Sequence, residues 1–532
     1  MSRLTMVQIF WLGSVALCAA PIDIAQGAEP EATSSAVTGA ELFQREWVPQ
    51  DPRSHGGDGL GPVFNDSSCV ACHNQGGPGG AGPASKNVDI VSAFLNKGAM
   101  QRPTAPSAVG SLLRSAIGLK ATPGRPQDEK SRKLRREFLL QEARRIHPGF
   151  TNARSVVVHL FGTDDEYLAW RKGMLTPGFA GQFGGFQPNG TNGAFFLADD
   201  VQIVTDFDSE LEAKRISDAL MLQHMTRVMT GFVPAGARIQ GNFTLSTTQR
   251  NPTALFGVGV IDAIPDSALL AAAATKHSQF PKVSGRVARL PGDKIGRFGW
   301  KAQKATLRSF AMAACAVELG LHVPDHPQAG HPSQPKYQPT GFDMDQRECD
   351  LLVDYLRQLP SPAADVVGAR TAALAEGKQL FTKVGCAACH VESLGEVTGI
   401  YSDLLLHDMG DILGDTGSYG VFIPNSPGGD AEGVVPPLAN ADQRQPLGKS
   451  SAQPILGATR LEWRTPPLWG VRDSAPYLHD GRAKTLEQAI AFHAGEGQKS
   501  ATRFFALDTK QRLQLIGFLK SLVAPRQVAQ RP

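Results

Sequence analysis

The chain has 532 residues, 42% of them hydrophobic, which is enough for more than one sizeable core. Its net charge is +3 with no long basic run, so nucleic acid is excluded as the expected partner. Its 56 glycines and 37 prolines imply many loops between modest elements.

Residues 1–28 read as a secretory signal peptide: Arg3 gives a positive start, residues 7–20 are mostly apolar, and small residues gather around Ala25, Gly27 and Ala28. That run is short for a bilayer span, and no later stretch approaches the roughly 20 apolar residues a span needs. Cys18 follows Ala16 and Leu17, which does not fit a lipid-anchor signal. The expectation is a chain exported to the periplasm, with no stable membrane span once the signal is cleaved.

GAELF (residues 39–43) reads as a helix feeding SSCVACHNQ, and GKQLF (residues 377–381) as a helix feeding VGCAACHVE. RNPTALFG (residues 250–257) is echoed by RTPPLWG (residues 464–470). The closing stretches match best. Leu352, Tyr355, Leu356 and Leu359 fall at helical spacing, as do Leu515, Phe518, Leu519 and Leu522, and a proline follows each stretch. This divergent repeat predicts two related units in a mainly α chain, residues 39–360 and 364–524, joined near SPAAD (residues 361–365). The first unit carries a large irregular insertion. Helices are expected at residues 136–146, 207–232 and 305–321, and a strand pair at residues 192–207.

Of seven cysteines, Cys18 leaves with the signal, and Cys69, Cys72, Cys386 and Cys389 lie in two Cys-x-x-Cys-His motifs. Cys315 and Cys349 remain, either as a disulfide or as buried thiols. On a helical turn, cysteines at i and i+3 and a histidine at i+4 project from one face. Two sulfurs then reach the vinyl groups of a haem while the imidazole reaches its iron, which is the signature of c-type attachment. A four-thiolate zinc site would not explain a histidine after both pairs. A redox dithiol would want a βαβ context that is absent here. His73 and His390 are therefore expected as axial ligands of two covalently bound haems c. By residue type, His407, Met409, His479 and His493 are candidates for the other face of the second iron, and His55, His147, His159 and His224 for that of the first.

At PLWGVRDSAPYLHDGRAKTLEQAIAFH (residues 467–493) the chain resembles the bacterial di-haem cytochrome c peroxidase superfamily. LFGVGVIDAIPD (255–266), GRFGWKA (296–302), YSDLLLHDMG (401–410), EWRTPPLWG (462–470) and YLHDGRA (477–483) look like its di-haem oxidoreductase branch, also called thiol oxidoreductases. The resemblance covers nearly all of residues 39–522. It implies two cytochrome c-like domains and a peroxidase-like enzyme in which the N-terminal haem meets hydrogen peroxide. The C-terminal haem takes electrons from a small redox protein of cytochrome c or cupredoxin type. The sixth ligand of that second haem stands fourteen residues beyond the histidine of the Pro-Tyr-x-His segment. Here that histidine is His479, and the position holds His493. The resemblance further implies a calcium ion between the haems, with Ser474 and the Pro476 carbonyl at the matching positions, and allows a homodimer. The chain departs from the peroxidases after His73. A glycine-rich stretch follows, with no histidine before His147, so the peroxide-cleaving residues are not carried over and the catalytic group stays unassigned. His147, His159 and Glu142 are the residues offered as its base. Trp300 stands either between the haems or in the core, and Arg464 pairs either a haem propionate or a carboxylate. The alternative to an enzyme is an electron-transfer cytochrome without turnover. A haem-based sensor or docking subunit is a third reading.

Overall fold

A computed structural model describes residues 37–95, 141–151, 155–175, 238–240, 243–362, 372–415, 417 and 457–525. The signal segment, His224, and the helix and strand pair expected at 207–232 and 192–207 lie outside these residues. Of the helix expected at 136–146, residues 141–146 are described and are helical.

The repeat read from the sequence is built as two equivalent helix crossings. Helix Gly39–Gln44 starts at Thr38, whose hydroxyl accepts the Glu41 N–H. It crosses helix Gln346–Gln358, which opens on a capping box of Asp345 and Glu348. The crossing is tight because Gly39 has no Cβ: one there would stand 2.1 Å from the Leu351 carbonyl oxygen. One turn on, the Phe43 and Tyr355 rings meet at 5.4 Å. In the second half, helix Ala372–Val384 crosses helix Thr509–Lys520, capped by Asp508 and Gln511. A Cβ on Gly377 would stand 2.1 Å from the Gln514 carbonyl oxygen, and the Phe381 and Phe518 rings meet at 5.4 Å. The apolar stripe of that last helix is buried against Leu380, Phe381 and Val384, with Tyr401 edge-on to Phe381 and Phe518. The echoed stretches end alike too: Gly257 (φ 67°) and Gly470 (φ 72°) take the left-handed conformation that opens the next helical turn.

A third pair of equivalents follows. Bridge Phe298↔Lys304 precedes helix Leu307–Glu318, and bridge Tyr477↔Ala483 precedes helix Leu486–Ala491. Each helix is capped by the threonine two residues beyond its bridge, Thr306 or Thr485.

The described residues also hold a four-stranded antiparallel sheet, which the mainly α reading with its one strand pair did not foresee. Its order is Ser155–Val158, Val88–Leu95, Phe243–Arg250, Arg238–Gln240. Val91, Ala93, Val156, Val158, Phe243 and Leu245 face a core with Ile146, Phe150 and Met174. Val88, Ile90 and Val157 face the other way, against Val317 of helix Leu307–Glu318. Strand Val88–Leu95 is covered on both faces, so it lacks the polar alternation that would have announced it. The long strand Phe243–Arg250 delivers Asn251 and Pro252 to the wall of the cavity described next.

Candidate functional site

The second motif forms a tight turn. Gly385 (φ 107°) leads into a 3-10 turn at Cys386–Ala388, and the His390 N–H donates to the Cys386 carbonyl at 2.9 Å. Both cysteines are free thiols. His390 Nδ1 lies 3.0 Å from the Tyr401 carbonyl. A carbonyl only accepts, so Nδ1 carries the proton and Nε2 keeps its lone pair, the tautomer a metal ligand needs. His493 is arranged the same way, with Nδ1 2.8 Å from the Ala489 carbonyl. Burial holds His390 down at about 4, helped by the neighbouring His493, and burial lowers His493 too, so both imidazoles are neutral at pH 7. Cys386, Cys389, His390 and His493 line one cavity of about 270 Å³ with an apolar wall that includes Leu486 and Ile490.

Two other histidines on that cavity are committed elsewhere. His407, 2% exposed, places Nε2 2.9 Å from Asp403 and Nδ1 2.7 Å from Glu496. Burial alone would lower its pKa, but hydrogen bonds to Asp403, Cys389 and Glu496 outweigh it and hold the ring well above its ordinary value. With both nitrogens bonded it has no lone pair for iron. His479 stacks on Trp463 at 3.7 Å, its Nε2 toward Asp415 at 3.4 Å.

The first motif is a helical turn, Cys69–Cys72, capped by Ser68. His73 N–H donates to the Cys69 carbonyl at 3.0 Å, its Nδ1 lies 3.2 Å from the Gly80 carbonyl, and its ring has a second backbone partner in Thr253. Burial holds His73 at about 4. Of the histidines offered for its other face, His224 lies outside the described residues and the other three have partners elsewhere. His55 is exposed and bound to Glu348 at 2.8 Å. His147 accepts the Gly149 N–H and packs on Phe150 and Trp170. His159 Nε2 donates to the Val317 carbonyl at 2.6 Å.

A residue that the sequence reading passed over is Glu318, the last of helix Leu307–Glu318. Burial pushes its carboxyl up to about 7, against the pull of an Asn65 amide 2.5 Å away. It belongs to the first motif's surroundings: burial first, then Asp66 and Glu318, raise the Cys72 thiol. The repeat held the signal for it. Eight residues on from Thr485 stands His493, eight on from Thr306 stands Ala314, and Glu318 follows Ala314 by one helical turn.

Trp300, Trp463, Trp469 and Arg464 also line the cavity. Trp300 Nε1 donates to the Asn251 carbonyl at 2.9 Å. Arg464, 6% exposed, donates to the Gly299 carbonyl at 2.8 Å, and no carboxylate among the described residues pairs with it. The expected capping salt bridge is therefore not made; burial lowers this guanidinium to about 10, and it faces the cavity as a cation without an anion. Ser474 and Pro476 share that wall, the Ser474 hydroxyl donating to the Gly470 carbonyl at 2.9 Å.

These residues fit haem better than the alternatives. Among the described residues, the one convergent group of metal-ligating side chains is His55, Asp345 and Glu348, so the four motif cysteines do not gather round one ion. Burial pushes the Cys69 and Cys386 thiols up to about 12, opposite to a redox dithiol's lowered pKa. Cys315 and Cys349 are both free and buried, and burial raises both. By contrast, free thiol pairs, neutral imidazoles with Nε2 available, an apolar cavity and an unpaired guanidinium supply what a porphyrin with vinyl and propionate edges requires.

Comparison with known proteins agrees. Residues 241–420 and 446–522 match the family described as "Di-haem oxidoreductase, putative peroxidase". The match takes in the second motif and begins after the first. Hydrazine synthase subunit gamma of Kuenenia stuttgartiensis is 31% identical over 179 residues, 32% of this chain and 48% of that protein. Methylamine utilization protein MauG of Methylorubrum extorquens is 28% identical over 28% of this chain and 34% of its own length. Cytochrome-c peroxidase IdrP2 of Denitromonas iodatirespirans is 30% identical over 28% of this chain and 38% of its own. The chain thus spans about half or less of the curated relatives it matches. A solved structure of Kuenenia stuttgartiensis hydrazine synthase under xenon aligns with 50% of this chain and 91% of its own at 18% identity and a TM-score of 0.22, which fixes no fold. Among the described residues, no helix is long and apolar enough to cross a membrane. The second motif, its cavity and the family match agree: the chain is similar to the di-haem oxidoreductase family, a likeness that points to haem as the cofactor class.

Proposed function

We propose that this protein is an exported c-type di-haem oxidoreductase of peroxidase type, with one haem in each of two units, residues 39–360 and 364–524. Cys69 and Cys72 hold the first haem and Cys386 and Cys389 the second, with His73 and His390 as proximal ligands and His493 as the second iron's sixth ligand. Bound there, the two haems supply one-electron exchange and an open face for peroxide.

The observation that carries this reading is the asymmetry of the repeat. The position that holds His493 in the second unit holds Ala314 in the first, which cannot ligate. His493 would thereby close a second iron held by His390 for electron relay, and Ala314 would leave a first iron held by His73 open for a substrate. Glu318, one turn beyond Ala314 and held by Asn65, moves the peroxide proton; a carboxyl near 7 is matched to both taking and giving it at neutral pH. Arg464 neutralises a propionate. Electrons enter at the second haem from a small cytochrome c or cupredoxin, and Ser474 and Pro476 remain the places for a calcium ion.

The test is the spectrum of the purified protein, oxidised and after one-electron reduction. Expected are pigment that survives acid-acetone extraction, one low-spin haem, and one haem that shifts with cyanide or peroxide. Two low-spin haems inert to both reagents would leave only the electron-transfer reading, and colourless protein would end both.

A further inference from the structure

A buried ion chain runs along one edge of the second motif's cavity, and the proposed function gives it no task. It starts at Cys389, whose carbonyl accepts the Asp403 N–H at 3.0 Å. Asp403 is 3% exposed; its Oδ1 accepts the Leu405 N–H at 3.0 Å and its Oδ2 meets His407 Nε2 at 2.9 Å. His407 Nδ1 meets Glu496 Oε2 at 2.7 Å and lies 3.5 Å from Cys389 Sγ. Carboxylates only accept, so both ring nitrogens carry protons and the ring is an imidazolium between two anions. Glu496 also accepts from Ser284, through N–H at 2.9 Å and Oγ at 3.2 Å. It stands three residues beyond His493, so the chain joins the backbone of the attachment motif to the loop that carries the opposite iron ligand.

That loop has a competitor beside it. Met409 stands two residues beyond His407, and its side chain lines the same cavity as His493. A Cβ placed on Gly497 would lie 3.1 Å from His493 Cβ and 3.3 Å from Met409 Cε, so imidazole and thioether are packed as neighbours. The two loops touch backbone to backbone, since a Cβ on Gly495 would meet the Asp408 carbonyl oxygen at 2.2 Å. The Ala489 carbonyl orients the His493 ring but does not set where its loop stands relative to Met409. The Glu496–His407 pair fixes that placement, because it pulls the end of the His493 loop toward the attachment motif and holds His407, two residues before Met409, in a paired strand opposite Trp463.

We propose that Asp403, His407 and Glu496 form a clamp that positions His493, rather than Met409, on the second iron. This rests on the reading that Cys386, Cys389 and His390 hold that haem. The residues are positioning residues; none touches iron or substrate.

The test compares ligation spectra and midpoint potentials of the haem-loaded wild type with Glu496→Gln, Glu496→Ala, His407→Ala and the double variant Glu496→Ala/Met409→Leu. Glu496→Gln keeps the shape and removes the charge, so it reports even where the harsher changes do not fold. Expected are a bis-imidazole low-spin second haem in the wild type and its partial loss in Glu496→Gln. Glu496→Ala and His407→Ala should lose that signal, gain the charge-transfer band of methionine-ligated ferric haem and show a raised potential. The double variant should turn that haem high-spin. A wild type already ligated by methionine, or an unchanged bis-imidazole signal and potential in Glu496→Gln and whichever of the others fold, would overturn the clamp. Protein without covalent haem would instead overturn the attachment on which it rests.

Discussion

At the scale of single residues, Glu318 carries the clearest pH signature. Its carboxyl ordinarily titrates near 4.5 and is pushed up to about 7 by burial. The folded chain therefore holds this proton more tightly than the unfolded chain does. The contribution is a stability present below about 4.5 and lost as pH rises to about 7, where the folded group ionises as well. Glu318→Gln should flatten that decline in a series of melting temperatures taken across the window. Activity should move the other way, because a base must be ionised to accept the peroxide proton. Peroxide turnover should rise with pH through about 7 in the wild type, and in Glu318→Gln it should fall by about 10²–10⁴-fold and lose the step. A variant with wild-type turnover and an unchanged pH profile would remove Glu318 from the chemistry. The proximal histidines were legible at this scale because their motif is local, five residues with one purpose. Glu318 was not, since a single glutamate in an apolar helix has no local mark; only its offset from Thr306 against that of His493 from Thr485 singles it out.

Among the elements, the helix crossings decide stability, and they allow a test with an internal control. Ala is ordinarily better than Gly in a helix by about 0.5–1 kcal/mol. At Gly377 the added methyl would stand 2.1 Å from the Gln514 carbonyl oxygen, a backbone atom that cannot swing aside. Gly377→Ala should therefore destabilise, by about 1–3 kcal/mol as overpacked contacts do, and Gly39→Ala should behave alike against Leu351. Gly173, in helix Asp165–Leu175, has nothing within 4 Å of its would-be Cβ, so Gly173→Ala should stabilise by about 0.4–1 kcal/mol. Denaturant titration of the haem-loaded variants reads both signs; a stabilising Gly377→Ala would mean the helices do not cross at that glycine. These helices were readable from period and proline alone. The sheet was not: strand Val88–Leu95 pairs with Phe243–Arg250 across a long separation in sequence, the first is buried on both faces and does not alternate, and the second alternates only over residues 243–246. Pairing of that kind is written in three dimensions rather than in any window of the sequence.

For the molecule as a whole, the two Cys-x-x-Cys-His motifs are equal in sequence and unequal in surroundings. The second has Arg464, His493 and the His407 clamp about its cavity, whereas the first has Ala314 and Glu318 in its helix Leu307–Glu318 and Asn65 close by. The family match reaches only the second, so the division of labour must be tested on the chain itself by removing one attachment at a time. Cys386→Ala/Cys389→Ala should halve the covalently bound haem and abolish the bis-imidazole signal, while the remaining haem still shifts with cyanide. Cys69→Ala/Cys72→Ala should halve the haem as well, keep the bis-imidazole signal, and lose both the cyanide shift and peroxide turnover. The thiols replaced are buried, and a lost haem leaves a cavity, so each variant is read by its retained haem and not by yield. If the cyanide shift followed the second pair of cysteines instead, the open iron would lie with His390. His493 would then be a bystander, and the contrast between Ala314 and His493 would have pointed to the wrong end of the chain.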